Sequence, residues 1–311
     1  MIPGRLVTIA IFVLGDSVYD PGNNDYLDIG IDGKANFPPY GETFFCFPTG
    51  RFCDGRQIPD FAGYPLKMYL AMYANLPIWE VIISPMELAL QLNIRIQLGY
   101  LKEVANLLKE ELGDTEAKNI LENAIYLSSF GGVDYMAFIN NTYIDFTQSK
   151  MEEYVKMVLG NLTEVTKEID EMGGRKFAFQ NVGPLGCQPE LKQQYNLSDK
   201  ACVEELQTIA SQHNNALSNV TRELESQLSG FNYLSFDFFN ALNDMTSHLE
   251  KYGFKVSDIA SCGTGSRRGS DCGRSGESNV TWPLNMKQLY ELESSADHEY
   301  VSDDGALFKD E

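Results

Sequence analysis

Residues 12–27 read FVLGDSVYDPGNNDYL, and the stretch changes character at Gly15. Before it, Val7 to Leu14 form an apolar, β-branched run that predicts a buried strand. After it come Asp, Ser, Pro, Gly and Asn, which build turns by tolerating left-handed backbone or bonding their own main chain. Ser17 therefore falls at the carboxyl end of a strand. Three further apolar runs follow: AIYLSSFGG (124–132), KFAFQNVGPLG (176–186) and FNYLSFDFF (231–239). Between them lie helical stripes. Met151, Val155, Val158, Leu162, Val165, Ile169 and Met172 recur at spacings of four and three, and that helix stops at Gly173–Gly174. Leu206, Ala210, His213, Leu217, Val220 and Leu224 mark a second face.

Strands alternating with helices predict an α/β sandwich around a mainly parallel sheet. Such sheets bind ligands at the carboxyl ends of their strands. Ser17 lies there, on a strand expected to be central. So do Gly131–Gly132–Val133–Asp134 and Asn181–Val182–Gly183. The 311 residues show no internal repeat and no long linker, so one domain over 1–311 is expected. The run CGTGSRRGSDCGRSGES, 262–278, is poor in apolar residues and reads as a surface loop.

With 43% hydrophobic and 22% charged residues the chain reads as soluble and globular. A formal net charge of -20 argues against nucleic acid and anionic membrane as partners, and favours a neutral small-molecule ligand. No apolar run approaches the roughly 20 residues of a membrane-spanning helix. MIPGRLVTIAIFVLGDS lacks a small-residue cleavage site, so no clear signal peptide is read there. Sequons at Asn140, Asn161, Asn196, Asn219 and Asn279 together favour a secretory history and glycosylation. The six cysteines fall as three locally spaced pairs, Cys46/Cys53, Cys187/Cys202 and Cys262/Cys272, which suits short disulfide loops, with reduced thiols the alternative. No CxxC occurs and the histidines lie far from the cysteines, so no metal is expected. DPGNND lacks the regular calcium-loop spacing and is read as turn chemistry. No G-x-G-x-x-G follows a strand, which leaves no nucleotide motif.

FVLGDSVYDPGNNDYL resembles the first block of the plant GDSL-type esterase/lipase family, within the SGNH-hydrolase superfamily. NFPPYGETFF, PTGRFCDGRQIPDF, GGRKFAFQNVGPLGC and IASCGTGSRRGSDCG are similar to later stretches of that family, in the same order. The resemblance spans nearly the whole chain. It implies a flavodoxin-like three-layer α/β/α sandwich, hydrolysis of carboxylic esters (lipids or other acyl esters) without cofactor, a place in lipid metabolism, and secretion. It also implies that Cys187–Cys202 and Cys262–Cys272 are disulfides.

Carried over by position, Ser17 matches the nucleophile and its backbone N–H the first oxyanion donor. Val18 stands where the family has leucine. Gly131–Gly132–Val133–Asp134 is similar to Gly-x-Asn-Asp, which puts Gly131 and Gly132 at the oxyanion site and Val133 in the place of an asparagine donor. YVSDDGALFKDE resembles the final motif, with Asp304 as the acid and Leu307 where the histidine base belongs. The chain ends four residues later, without the final helix the family implies. The second family block is not found, and Glu80–Gln91 looks like the replacement of a longer piece. A serine hydroxyl is a poor nucleophile until a base takes its proton. The expectation is therefore an ester hydrolase of impaired activity, or an inactive relative kept to bind a protein partner. His298 is the nearest substitute base in sequence, His213 reads as a core histidine, and His248 as a solvated one.

Overall fold

The computed structural model describes residues 10–26, 34–42, 44–58, 60, 94–140 and 147–272. Four parallel strands order the fold in chain sequence: β1 (Ile11–Leu14), β2 (Ile125–Ser129), β3 (Lys176–Gln180) and β4 (Asn232–Phe236). Ile11, Ile125, Lys176 and Asn232 form one row across the sheet. All carboxyl ends therefore open on one edge. Each crossover is helical: α1 (Ile94–Leu112) and α2 (Asp114–Asn123) before β2, α3 (Gly132–Asn140) and α4 (Gln148–Glu171) before β3, and α5 (Pro189–Gln194) and α6 (Glu204–Gln227) before β4. Helix α7 (Phe238–Ser247) follows β4.

All four apolar runs contain a strand, each shorter than its run. FNYLSFDFF divides at Asp237, whose side chain accepts the Asn240 N–H at 3.1 Å and starts α7. Ser17 follows a parallel strand as expected. Among the described residues, however, β1 is the outermost of the four strands rather than a central one.

The core forms because side chains alternate across each strand. Phe12, Tyr126 and Phe177 share one row on one face, with ring centroids 5.4 Å apart at each step. Helices α1, α4 and α6 lie side by side against this face, burying Leu98 and Leu101, Val155 and Leu162, and Leu206 and Leu217. Each such side chain contributes roughly 1.5–3 kcal/mol of burial. The α4 stripe is buried along its length, and Thr147 caps its start. Its end is a left-handed closure. Gly173 has φ 107°, and the Gly174 N–H reaches the Ile169 carbonyl at 2.9 Å.

Cys187–Cys202 and Cys262–Cys272 are disulfides, with Cα atoms 4.5 and 5.1 Å apart. Cys46 and Cys53 are free thiols, which corrects the third expected pair. Cys46 is exposed, while the Cys53 thiol donates to the Gly55 carbonyl at 3.0 Å. The 262–272 segment is more than a surface loop. Arg267 is nearly buried and binds Asp258 at 2.9 Å and Asp199 at 2.7 Å, tying the segment to the turn after α5.

Candidate active site

The turn after β1 is built from polar contacts. At its start the Gly15 N–H donates to Gln97 Oε1 at 3.0 Å, and Gln97 Nε2 returns to the Gly15 carbonyl at 2.9 Å. The Tyr19 N–H closes the turn on the Asp16 carbonyl at 3.0 Å. At its end the Tyr19 hydroxyl donates to Gln180 Oε1 at 2.6 Å, and Gln180 Nε2 continues to Ser129 Oγ at 3.3 Å. Ser17 sits between these anchors, half-buried, with its carbonyl accepting from Gln57 Nε2 at 3.3 Å. Val18 beside it is 39% exposed.

Beyond Tyr19, Asp20 organises DPGNND. Its Oδ1 accepts the Gly22 and Asn23 N–H groups at 2.9 and 2.7 Å, and its Oδ2 accepts Asn24 Nδ2 at 2.8 Å. Those donors occupy the carboxylate in the way turn chemistry requires. Asn24 Nδ2 also reaches the Gly50 carbonyl at 2.6 Å, so the chain at Gly50 packs against this turn. Arg51 joins it through Asp60 at 2.8 Å and the Pro21 carbonyl at 3.0 Å.

The loop after β2 is built from packing. Gly131 has φ +111°, and an added Cβ would stand 2.8 Å from Tyr135, 3.1 Å from His213 and 3.1 Å from Val182. Only glycine fits that cradle. His213 lies under it, buried, with Nδ1 2.7 Å from the Tyr135 hydroxyl, and burial pushes its pKa down to about 3. It is a neutral core residue. Asn214 next to it clamps Val182, accepting its N–H and donating to its carbonyl, both at 2.9 Å.

The two loops meet at Asp16. Its carboxyl accepts the Val18 N–H at 3.2 Å and a further bond from the Val133 N–H in the first turn of α3. A Cβ on Gly132 would stand 3.3 Å from Asp16 Oδ2. Burial first, and then the neighbouring Asp134 carboxylate, raise Asp16 to about 6, against the pull of the backbone donors. Ser17, Gly131 and Gly132 are thus brought to one edge of the sheet. Val133 contributes a backbone N–H there, and its side chain offers no donor.

Asp304, Leu307, His298 and Glu80–Gln91 lie outside the described residues, as does Asn279. Asn140 ends α3, Asn161 lies within α4, Asn219 is exposed on α6, and Asn196 is exposed in a left-handed turn with φ 50°. His248 is exposed and pairs with Asp244 at 2.8 Å.

The sequence pattern of a family described as GDSL-like Lipase/Acylhydrolase matches residues 11–309. The chain belongs to this family. It is similar to a GDSL lipase of Tanacetum cinerariifolium, with 34% identity over 337 aligned positions that cover 91% of this chain and 88% of that protein. GDSL esterase/lipase 5 of Arabidopsis thaliana is 38% identical over 84% of this chain and 71% of its own length. A further Arabidopsis thaliana relative, named Inactive GDSL esterase/lipase-like protein 25, is 33% identical over 84% of this chain and 62% of its own length.

The GDSL family has a three-layer α/β/α fold, and the parallel sheet with its helical crossovers belongs to that class. Among the described residues no helix is long and apolar enough to cross a membrane. Several side chains that shape this GDSL turn escaped the sequence reading. Gln97 interrupts an apolar stripe of Ile94, Leu98 and Leu101, and Gln180 ends an apolar strand. A polar residue on a buried face was the only signal they gave.

Proposed function

We propose that the chain is a serine ester hydrolase of the GDSL family whose turnover is strongly impaired. Ser17 is the nucleophile, and its backbone N–H with those of Gly131 and Gly132 forms the oxyanion site. Asp304 is the orienting acid of the last motif. The observation that supports this best is the Gly15–Tyr19 turn, which carries Ser17 just after β1 and whose Asp16 meets the Gly132–Val133 stretch at the same carboxyl edge of the sheet. The substrate is a neutral acyl ester, small or lipid, because the -20 net charge repels anions. Attack on the ester carbonyl gives a negative oxygen that preorganised donors must hold. Valine at 133 removes one such donor, typically worth ~10²–10³ in kcat. Leucine at 307 removes the base by sequence position, a loss of about 10⁶ in a comparable triad.

The domain reading is a single unit over 1–311 with a shortened segment near 79–91. The alignment with the Tanacetum cinerariifolium protein runs over 337 positions while covering 91% of the 311 residues, so it opens gaps in this chain, which supports a shortening relative to that protein. The sequons and the two disulfides support a reading of secretion and glycosylation, with Asn196 and Asn219 the exposed acceptors among the described residues. A second reading, an inactive member that binds a protein partner, draws on the Val133 replacement and on the relative named inactive. Fluorophosphonate treatment followed by peptide mapping separates the two. Slow modification confined to Ser17 is expected of the hydrolase; no modification at Ser17 would favour the binding protein.

A further inference from the structure

The turn that carries Ser17 is gripped at both ends by buried glutamines. Gln97 is 2% exposed and Gln180 is 3% exposed. In a parallel strand, one residue's N–H and C=O point to the same side. At Gly15 both groups meet the single amide of Gln97, at 3.0 and 2.9 Å. That amide supplies what a neighbouring strand would supply, one acceptor and one donor in one plane. Two residues beyond Ser17, Tyr19 is held to Gln180, which is itself tied to Ser129 on β2. Ser17 is thus suspended between two fixed points, one on α1 and one on β3. Both anchors are neutral, so they hold the turn without placing another charge beside the Asp16 carboxyl.

We propose that Gln97 and Gln180 are positioning residues for Ser17, fixing the two ends of its turn so that its hydroxyl and backbone N–H keep their place at the carboxyl edge of the sheet. The inference rests on Ser17 being the nucleophile. A displacement of about 1 Å at a reacting group can cost ~10²-fold in rate, so losing one anchor should act on reaction rather than on binding.

The test uses the full chain and a fluorophosphonate ester, with rates measured to saturation. Gln97→Leu should lower the limiting rate of Ser17 modification ~10–100-fold with the half-saturating concentration unchanged. Tyr19→Phe, which releases only the Gln180 anchor, should lower it less. Gln97→Glu should show the full loss at pH 8 and approach the parent's rate at pH 5, because a protonated carboxyl again offers a donor and an acceptor. A parental limiting rate in Gln97→Leu would overturn the proposal. So would a loss accompanied by weakened amide-exchange protection throughout α4 and α6, since that is general destabilisation. If the parent itself is not modified at Ser17, the nucleophile reading fails, and amide exchange over residues 12–20 decides the positioning role. Faster exchange there in Gln97→Leu, with α4 and α6 unchanged, supports it; equal exchange rejects it.

Discussion

Two loops face each other at the carboxyl edge of the sheet, and they are held by opposite means. The loop after β1 hangs on directed bonds: Gln97 to Gly15, Tyr19 to Gln180, and four main-chain or amide donors to Asp20. The loop after β2 rests in an apolar cradle of Tyr135, His213 and Val182 that leaves no space for a side chain on Gly131. The difference separates what fixes the backbone of each loop from what its side chains offer. Packing around Gly131 specifies backbone position and says nothing about the side chain at 133. A valine there is compatible with the fold and offers no side-chain donor.

Changing Gly131 should do the most damage. Gly131→Ala combines a left-handed backbone with a 2.8 Å approach to Tyr135, and a loss of about 2–4 kcal/mol is expected in urea unfolding. Gly132→Ala should cost under ~1 kcal/mol, because its φ is not positive and its Cβ would meet Asp16 Oδ2 at 3.3 Å and Leu185 Cδ2 at an ordinary 3.8 Å. Equal losses at the two glycines would remove the cradle from the explanation.

Acid should act on His213 and Asp16 in opposite directions. His213 is lowered from 6.5 to about 3, so its contribution is fully present above pH 6.5 and fades as pH falls toward 3. Replacing it by Leu, with Tyr135→Phe to avoid an orphaned hydroxyl, should flatten the acid limb of stability by roughly 2–4 kcal/mol. Asp16 is raised from 3.8 to about 6, so its contribution is fully present below pH 3.8 and is lost as pH rises through 6. Asp16→Asn should therefore relieve roughly 1–3 kcal/mol at pH 7 and little at pH 4. Chemical denaturation at pH 4, 5.5 and 7 checks both, and the same pH response in the His213 and Asp16 variants would contradict the assignment.

Much of the scaffold was legible because it is written locally. The apolar runs end where the strands end or shortly after, and the stripe from Met151 to Ile169 is the buried face of α4. The Gly173–Gly174 stop is a left-handed closure. The anchors of the Ser17 turn were not legible, because Gln97 and Gly15 are 82 positions apart and no periodicity pairs them. Arg267 was hidden for the same reason. It sits in a run of Gly, Ser and Arg that reads as solvated, yet it bridges Asp199 and Asp258. The pairing of Cys46 with Cys53 failed because close spacing makes a bridge feasible without bringing the two sulfurs together.

The most direct measurement is turnover of a p-nitrophenyl ester by the purified chain, with Ser17→Ala as the blank. The unmodified chain should run close to that blank. Val133→Asn with Leu307→His should exceed the sum of the two single changes, as expected of groups that act as a unit. Turnover by the unmodified chain far above the Ser17→Ala blank would contradict the impaired-hydrolase reading and make His298 the residue to replace next.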